Sequence, residues 1–205
     1  MDIEVKTSVK PVDYNKSIKI LEKRVNDLAS GKKGELLWIL EHKTVYTAGS
    51  SSSSKDLISK KTTVIKTTRG GKHTIHSPGQ KVIYFVLDLN KRGKNIRKLV
   101  NKIETCIINI LKEYNVNSYA DSKNIGIWIN KNNKIQKISA IGIRVKKWIS
   151  YHGFSINVNN DLSLYKKIIP CGIKDKGVTS LEKIGVKDFK NIENAIKRNF
   201  LNIFL

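Results

Sequence analysis

Lys81-Val82-Ile83-Tyr84-Phe85-Val86-Leu87-Asp88-Leu89 is dense in β-branched and aromatic side chains, which suits a strand in the core of a sheet. Downstream, Ile96 to Tyr114 carries the strongest helical stripe of the chain. Leu99, Ile103, Cys106 and Ile110 recur on one face, and Ile107 and Leu111 widen it. A core strand followed by an amphipathic helix points to an α/β protein, and it places Cys106 among core positions.

Working outward, Tyr14 to Ser30 repeats the helical pattern through Ile18, Leu21, Val25, Leu28 and Ala29 and stops at Gly31 and Gly34. Leu36 to Leu40 reads as a buried strand leading into Glu41 to Thr47. The run Ser50 to Ser54 reads as a mobile surface loop, and Thr63 to Thr68 as a further strand. Ile125 to Ile129 and Lys134 to Ile143 flank the turn Asn130-Lys131-Asn132-Asn133 like a hairpin, and Trp148 to Val158 supplies another strand. A last helix is expected from Lys187 to Phe200, capped by Asp188. The fold class is therefore α/β of the α+β type, a mixed β-sheet flanked by helices. With no internal repeat or linker, residues 1–205 are expected to form a single domain.

The 205 residues carry a net charge of +22. A basic field attracts phosphate without selecting a sequence. Lys supplies 33 of the 39 basic residues, however, and bidentate recognition favours Arg. An acidic protein partner fits the same field, so no specific nucleic acid is assigned. The N-terminus lacks the h-region of a secretory signal, and no apolar run is long enough to span a membrane, so a cytoplasmic location is expected. Two cysteines, Cys106 and Cys171, cannot make a disulfide scaffold.

Arg69-Gly70-Gly71-Lys72-His73-Thr74-Ile75-His76-Ser77-Pro78-Gly79-Gln80 joins paired glycines, two histidines and a proline turn between strands. It reads as a binding loop rather than a plain hairpin. On a strand His73 and His76 point to opposite faces, and there is no Cys-x-x-Cys, so no metal is assigned. Cys171 sits between Pro170 and Gly172, away from any helical stripe, where either a buried thiol or a reactive one is possible. In a regular strand Ile135, Lys137, Ser139, Ile141 and Ile143 share one face, which would desolvate the Lys137 amine. A lysine snorkelling from an edge strand is the alternative.

Four blocks between Glu41 and Leu181 resemble those of the octanoyltransferases of lipoate biosynthesis, the lipoate-protein ligase B family. They are Glu41-His42 with Val45-Tyr46-Thr47; Arg69-Gly70-Gly71 through His76, Pro78, Gly79 and Gln80; and Lys137-Ile138 with Ala140 to Arg144. The fourth is Tyr151-His152-Gly153-Phe154 and Asn157, with Pro170 to Ile173 and Gly177 to Leu181. The resemblance implies a fold similar to the catalytic domain of biotin and lipoate ligases, with Cys171 as acyl-thioester nucleophile and Lys137 as its proton partner. It maps substrate contacts onto Arg69, Gly70, Gly71, Lys72, His73, Thr74, Ile75 and His76, onto Ala140, Ile141 and Gly142, and onto Gly153, Phe154 and Ser155. It implies octanoyl-acyl carrier protein as an acidic donor, lipoyl domains of 2-oxoacid dehydrogenases and related lipoate-dependent proteins as acceptors, and no cofactor.

The sequence departs from the family pattern at Lys43-Thr44, usually two prolines, at Thr68, commonly Asp, and at Ser77, usually Gly. Ser77 is the departure of greatest weight, because a side chain there can narrow the acyl or pantetheine path. The competing readings are an ATP-dependent lipoate or biotin ligase, which needs no cysteine nucleophile, and a basic RNA-binding module.

Overall fold

The computed structural model describes residues 2–59, 61–169 and 176–205. In chain order these form β1 (Ile3–Thr7), α1 (Tyr14–Ala29), β2 (Glu35–Leu40), β3 (Val45–Ala48), β4 (Val64–Lys66), β5 (His73–His76), β6 (Gln80–Asp88) and α2 (Ile96–Lys112). There follow β7 (Tyr119–Ala120), β8 (Ile127–Lys131), β9 (Lys134–Lys146), β10 (Ile149–Asn157), β11 (Gly177–Val178) and α3 (Ile192–Phe204). The main sheet runs β1-β2-β6-β10-β9-β8-β7, with β11 pairing in parallel on β9. Because β1 and β2 are also parallel while β2, β6, β10, β9 and β8 alternate, the sheet is mixed. A smaller sheet, β4-β3-β5, carries the loop before β6.

The opening stretch is the middle of this architecture. Val82, Tyr84 and Val86 meet Leu36, Trp38 and Leu40 and the α1 residues Leu21 and Val25 on one face. Ile83, Phe85 and Leu87 turn to the other face, against α2 and α3, where Ile103, Cys106, Ile110, Ile196 and Phe200 are buried. A strand covered on both faces loses hydrophobic alternation and reads as a continuous apolar run. Cys106 sits in this core, and burial pushes its thiol up to about 12, so it stays protonated.

One expectation is corrected and two features are added. The last helix begins at Ile192, later than Lys187, because Asp188 accepts from the Lys190 N–H at 3.0 Å and closes a turn instead of capping a helix. β1 is an additional edge strand whose charged alternation hides it from hydrophobic periodicity. The serine run is fastened to the glycine loop: the Ser50 N–H donates to Arg69 O at 2.9 Å and the Ser51 N–H to Gly71 O at 3.1 Å.

Candidate functional site

Beyond the segment paired with β8, one edge of β9 is open, and the loop after β4 closes over it. The Gly70 N–H donates to Ile143 O at 2.9 Å, seating the loop on the strand. Arg69 braces the loop from within: Nη2 donates to Thr47 O at 3.0 Å, Thr47 Oγ1 at 2.8 Å and Lys72 O at 2.9 Å, and Nη1 donates to Gly70 O at 3.0 Å. Between this loop, β9, β10 and the turn before β8 lies a cavity of about 520 Å³.

A chain of hydrogen bonds draws the separate sequence blocks together around it. Glu41 accepts from the Gly79 N–H at 2.8 Å and pairs with Lys81 at 2.8 Å, which fixes the turn into β6. Gln80 then donates its amide to Asn157 Oδ1 at 2.8 Å and to the Tyr165 hydroxyl at 3.1 Å, leaving its oxygen to accept from His76 Nδ1–H at 2.7 Å. Asn157 passes its amide to Thr179 O at 2.9 Å, and the Thr179 N–H donates to Lys137 O at 2.9 Å. The second, third and fourth blocks are thus one connected network, and the first is bonded to it at Gly79.

All four histidines belong to this region. His42 donates Nδ1–H to Val12 O at 2.8 Å, so its Nε2 accepts from the Tyr84 hydroxyl at 2.8 Å. His73, His76 and His152 line the cavity. Burial, then the neighbouring His42, lowers His76 to about 3; burial, then Arg69 and Arg144, lowers His152 to about 3. Burial also lowers His42 and His73. The imidazoles are therefore uncharged at neutral pH, and the cavity wall is polar without being cationic there.

His152 has the least ordinary backbone of the site. Alternation along β10 would send it to the α2–α3 face with Phe154, but its φ of 67° breaks the alternation. The ring instead stacks on Tyr151 at 4.8 Å and meets Tyr84 edge-on at 6.2 Å, both on the α1 face. Neither ring nitrogen has a partner among the described residues. The next residue must be glycine, since a Cβ on Gly153 would lie 1.9 Å from Ile83 O. These two constraints give the sequence His152-Gly153 its physical meaning.

Lys137 lines the same cavity, buried, with Nζ donating to Ile125 O at 3.0 Å and lying 4.6 Å from the centre of the Trp128 ring. Among the described residues it has no carboxylate within ion-pair distance. Its route there corrects the expected alternation. Ile127 opposes Ser139 while Trp128 opposes Lys137, so Ile138 is an extra, bulged residue. The bulge resets the faces: Ile138 joins the α2–α3 core, where Ile141 and Ile143 also pack, and Lys137 reaches the cavity.

The remaining expected positions are distributed as follows. Arg69, Gly70, Gly71, Lys72, His73, Thr74, His76, Ala140, Ile141, Gly142, Gly153, Phe154 and Ser155 all line the cavity. Ile75 does not; it packs with Tyr46, Tyr165 and Ile168 in a satellite core, because alternation on β5 turns it away from Thr74 and His76. Cys171 lies outside the described residues. Its flanks are fixed on either side: the Ile169 N–H donates to Asp56 O at 2.8 Å, and Val178 pairs beside Lys137. Ser77 is buried but does not line the cavity, and its φ is not in the left-handed region that would demand glycine. Lys43 and Thr44 are exposed, and Thr68 contributes a carbonyl that accepts from Arg144 at 3.4 Å.

The sequence reading missed Val82, Tyr84, His152 and the turn Lys123-Asn124-Ile125, all of which line the cavity. Tyr84 was legible only as a core residue, and its hydroxyl bond to His42 is the feature that sets it apart. A more open groove of about 1020 Å³ lies between the end of α2, α3 and β8. Its Glu113 is occupied by Arg198 and Asn199, and its Lys131 donates to Ile184 O, so it lacks the buried amine of the smaller cavity.

Comparison with known proteins identifies the family of the chain. An octanoyltransferase from Wolbachia sp. subsp. Brugia malayi is 43% identical over 94% of this chain and 95% of its own length. One from Anaplasma phagocytophilum is 43% identical over the whole of both chains. Among solved structures, P. falciparum LipL1 in complex with lipoate superposes with a TM-score of 0.73 over 99% of this chain and 62% of that one, at 19% identity, a likeness of fold. The family model for the lipoyl protein ligase A/B catalytic domain matches residues 13–201, so a cavity first assembled from hydrogen bonds belongs to a chain of the lipoyl protein ligase A/B catalytic-domain family.

Proposed function

We propose that this protein is an octanoyltransferase acting in the cytoplasm, which moves an octanoyl group from acyl carrier protein to a lysine of lipoyl domains through a thioester on Cys171. The observation that carries the reading is Lys137: a buried amine without a carboxylate partner among the described residues, facing a cavity whose walls come from all the substrate-binding blocks. Such an amine is suited to receive a proton, and β11, which returns from the Cys171 segment, pairs beside it.

In the first half-reaction Lys137 accepts the Cys171 proton and the thiolate attacks the octanoyl thioester carbonyl. Collapse of the tetrahedral intermediate breaks the bond to the carrier thiol, which leaves with the proton from Lys137. In the second half-reaction the acceptor lysine amine attacks the acyl-enzyme, an amide forms, and the Cys171 thiolate leaves and is reprotonated. Amide formation from a thioester is downhill, so neither step calls for ATP. The +22 net charge suits an acidic donor protein.

Incubation with octanoyl-acyl carrier protein in the absence of ATP tests the proposal. A thioester-linked octanoyl adduct mapped to Cys171 and chased onto an added lipoyl domain is the expected result. Transfer that proceeds only from free octanoate and ATP would replace it with the ligase mechanism.

A further inference from the structure

Lys137 Nζ shares its aromatic neighbour with the amino group of a second lysine. Lys176 Nζ lies 4.8 Å from the centre of the same Trp128 ring that Lys137 approaches to 4.6 Å. Trp128 is on β8, directly opposite Lys137 on β9, whereas Lys176 precedes β11 on the far side of β9 and reaches across that strand. Lys176 is also the first described residue after the segment that contains Cys171.

The indole is fixed in a closed circuit. Its Nε1–H donates to Asn124 O at 2.8 Å; the Asn124 amide donates to Asp121 Oδ2 at 2.7 Å; and Lys176 Nζ meets that same oxygen at 3.2 Å before returning over the ring. The Asn124 amide, then the Lys123 N–H and Lys176, holds the Asp121 carboxyl below its ordinary range, so it stays charged. The lysine at the centre is fitted as closely. Gly126, whose φ is +132°, has no room for a Cβ, which would lie 2.8 Å from Ser139 O, and the same absent Cβ leaves space beside Lys137 Cε and Nζ, 3.1 and 3.2 Å away.

From this arrangement we infer that Trp128 is a positioning residue of the transfer reaction, its indole holding both the proton partner Lys137 and the chain that returns from Cys171. The inference rests on the acyl-enzyme reading above. Cation–π attraction favours the ammonium over the amine, and a ring excluded from water exerts it more strongly than an exposed one. The proton of Cys171 is thereby drawn toward Lys137, and the Lys176 contact ties the strand after Cys171 to the same platform. A tryptophan present only for packing would do neither.

Trp128→Leu, Trp128→Phe, Lys176→Met and the double variant Trp128→Leu/Lys176→Met test this on the full chain, with the folded fraction of each fixed by circular dichroism. Iodoacetamide alkylation of Cys171 at pH 7, followed by mass spectrometry, reads its thiolate; buried Cys106 does not compete. Relative to the native protein, alkylation of Cys171 and kcat should each fall about tenfold in Trp128→Leu, and by less in Trp128→Phe, which keeps a weaker ring. KM for octanoyl-acyl carrier protein should hardly move. The double variant should lose less than the two single losses combined, since both single changes remove the same Lys176–Trp128 contact.

Native alkylation and kcat in folded Trp128→Leu, or additive losses in the double variant, would reduce Trp128 to a packing residue while leaving the acyl-enzyme intact. If Trp128→Leu does not fold, Trp128→Phe and Lys176→Met decide the matter, and native rates in both would overturn the inference. Failure of the native protein to form the Cys171 adduct would instead remove the acyl-enzyme reading beneath it.

Discussion

The two faces of the central sheet use the same strands for opposite ends. On the α2–α3 face, Ile83, Phe85, Leu87, Phe154 and Ile156 pack on Ile103, Ile196 and Phe200. On the α1 face the packing changes along the strands, from Leu21, Trp38 and Val86 to a region where Tyr84, His76 and His152 line the cavity and His42 is bonded to Tyr84. Cys106 on the first face is an inert apolar side chain, whereas the lysine of the second is a buried polar group held by one carbonyl and one ring. Stability is concentrated on the α2–α3 face, which reaches the cavity only through apolar side chains such as Phe154 and Ile141, and this leaves the other face free to retain strained and incompletely bonded groups such as His152.

This contrast predicts that variants separate by face. The largest effect on turnover belongs to Cys171→Ser, which should abolish it while leaving the melting temperature nearly native, since a hydroxyl holds its proton far more tightly than a thiol. Lys137→Arg should follow, with kcat reduced roughly 10²- to 10⁴-fold because a guanidinium does not accept the proton. Activity near native in that variant would leave Lys137 only its charge. Phe200→Ala, on the opposite face, should lose about 3–5 kcal/mol of stability in a urea titration yet keep its kcat per folded molecule. Cys106→Ser should repeat that pattern at a smaller scale, roughly 1–3 kcal/mol, from burying a hydroxyl in place of a thiol. A kcat loss in either helix-side variant would break the separation.

The cavity face should also govern the acid limb of stability. His76 and His152 titrate near 3 when folded, against about 6.5 for an unperturbed histidine, so between those values the unfolded chain binds more protons. Their contribution is complete above about pH 6.5 and declines as pH falls toward 3. Chemical denaturation at pH 7, 6, 5 and 4 should show this decline, and His152→Asn should flatten it. An unchanged slope in that variant would mean that His152 is neutralised by other means.

Much of the architecture was legible because its strands and helices carry opposite periodicities. β6 and α2 stood out from composition and spacing alone, and the lysine and glycine blocks marked most of the cavity wall. What escaped was set by backbone events that single-residue patterns do not encode. The bulge at Ile138 reverses the faces of β9 around Lys137, so strand alternation alone assigned its neighbours wrongly. The positive φ at His152 swings a residue from the helix face into the cavity wall, again against alternation. Ile75 failed in the reverse sense: a binding block was read as continuous, but Ile75 turns from Thr74 and His76 into the satellite core.

The central claim is that Cys171 carries the acyl group with Lys137 as its proton partner. Mass spectrometry of the native protein after mixing with octanoyl-acyl carrier protein, without ATP, tests it most directly. One octanoyl group, labile to hydroxylamine and located on the peptide containing Cys171, is the predicted result, with no such adduct in Lys137→Arg on the same timescale. An unmodified Cys171 in the native protein, with octanoyl transfer to a lipoyl domain still proceeding, would contradict the account.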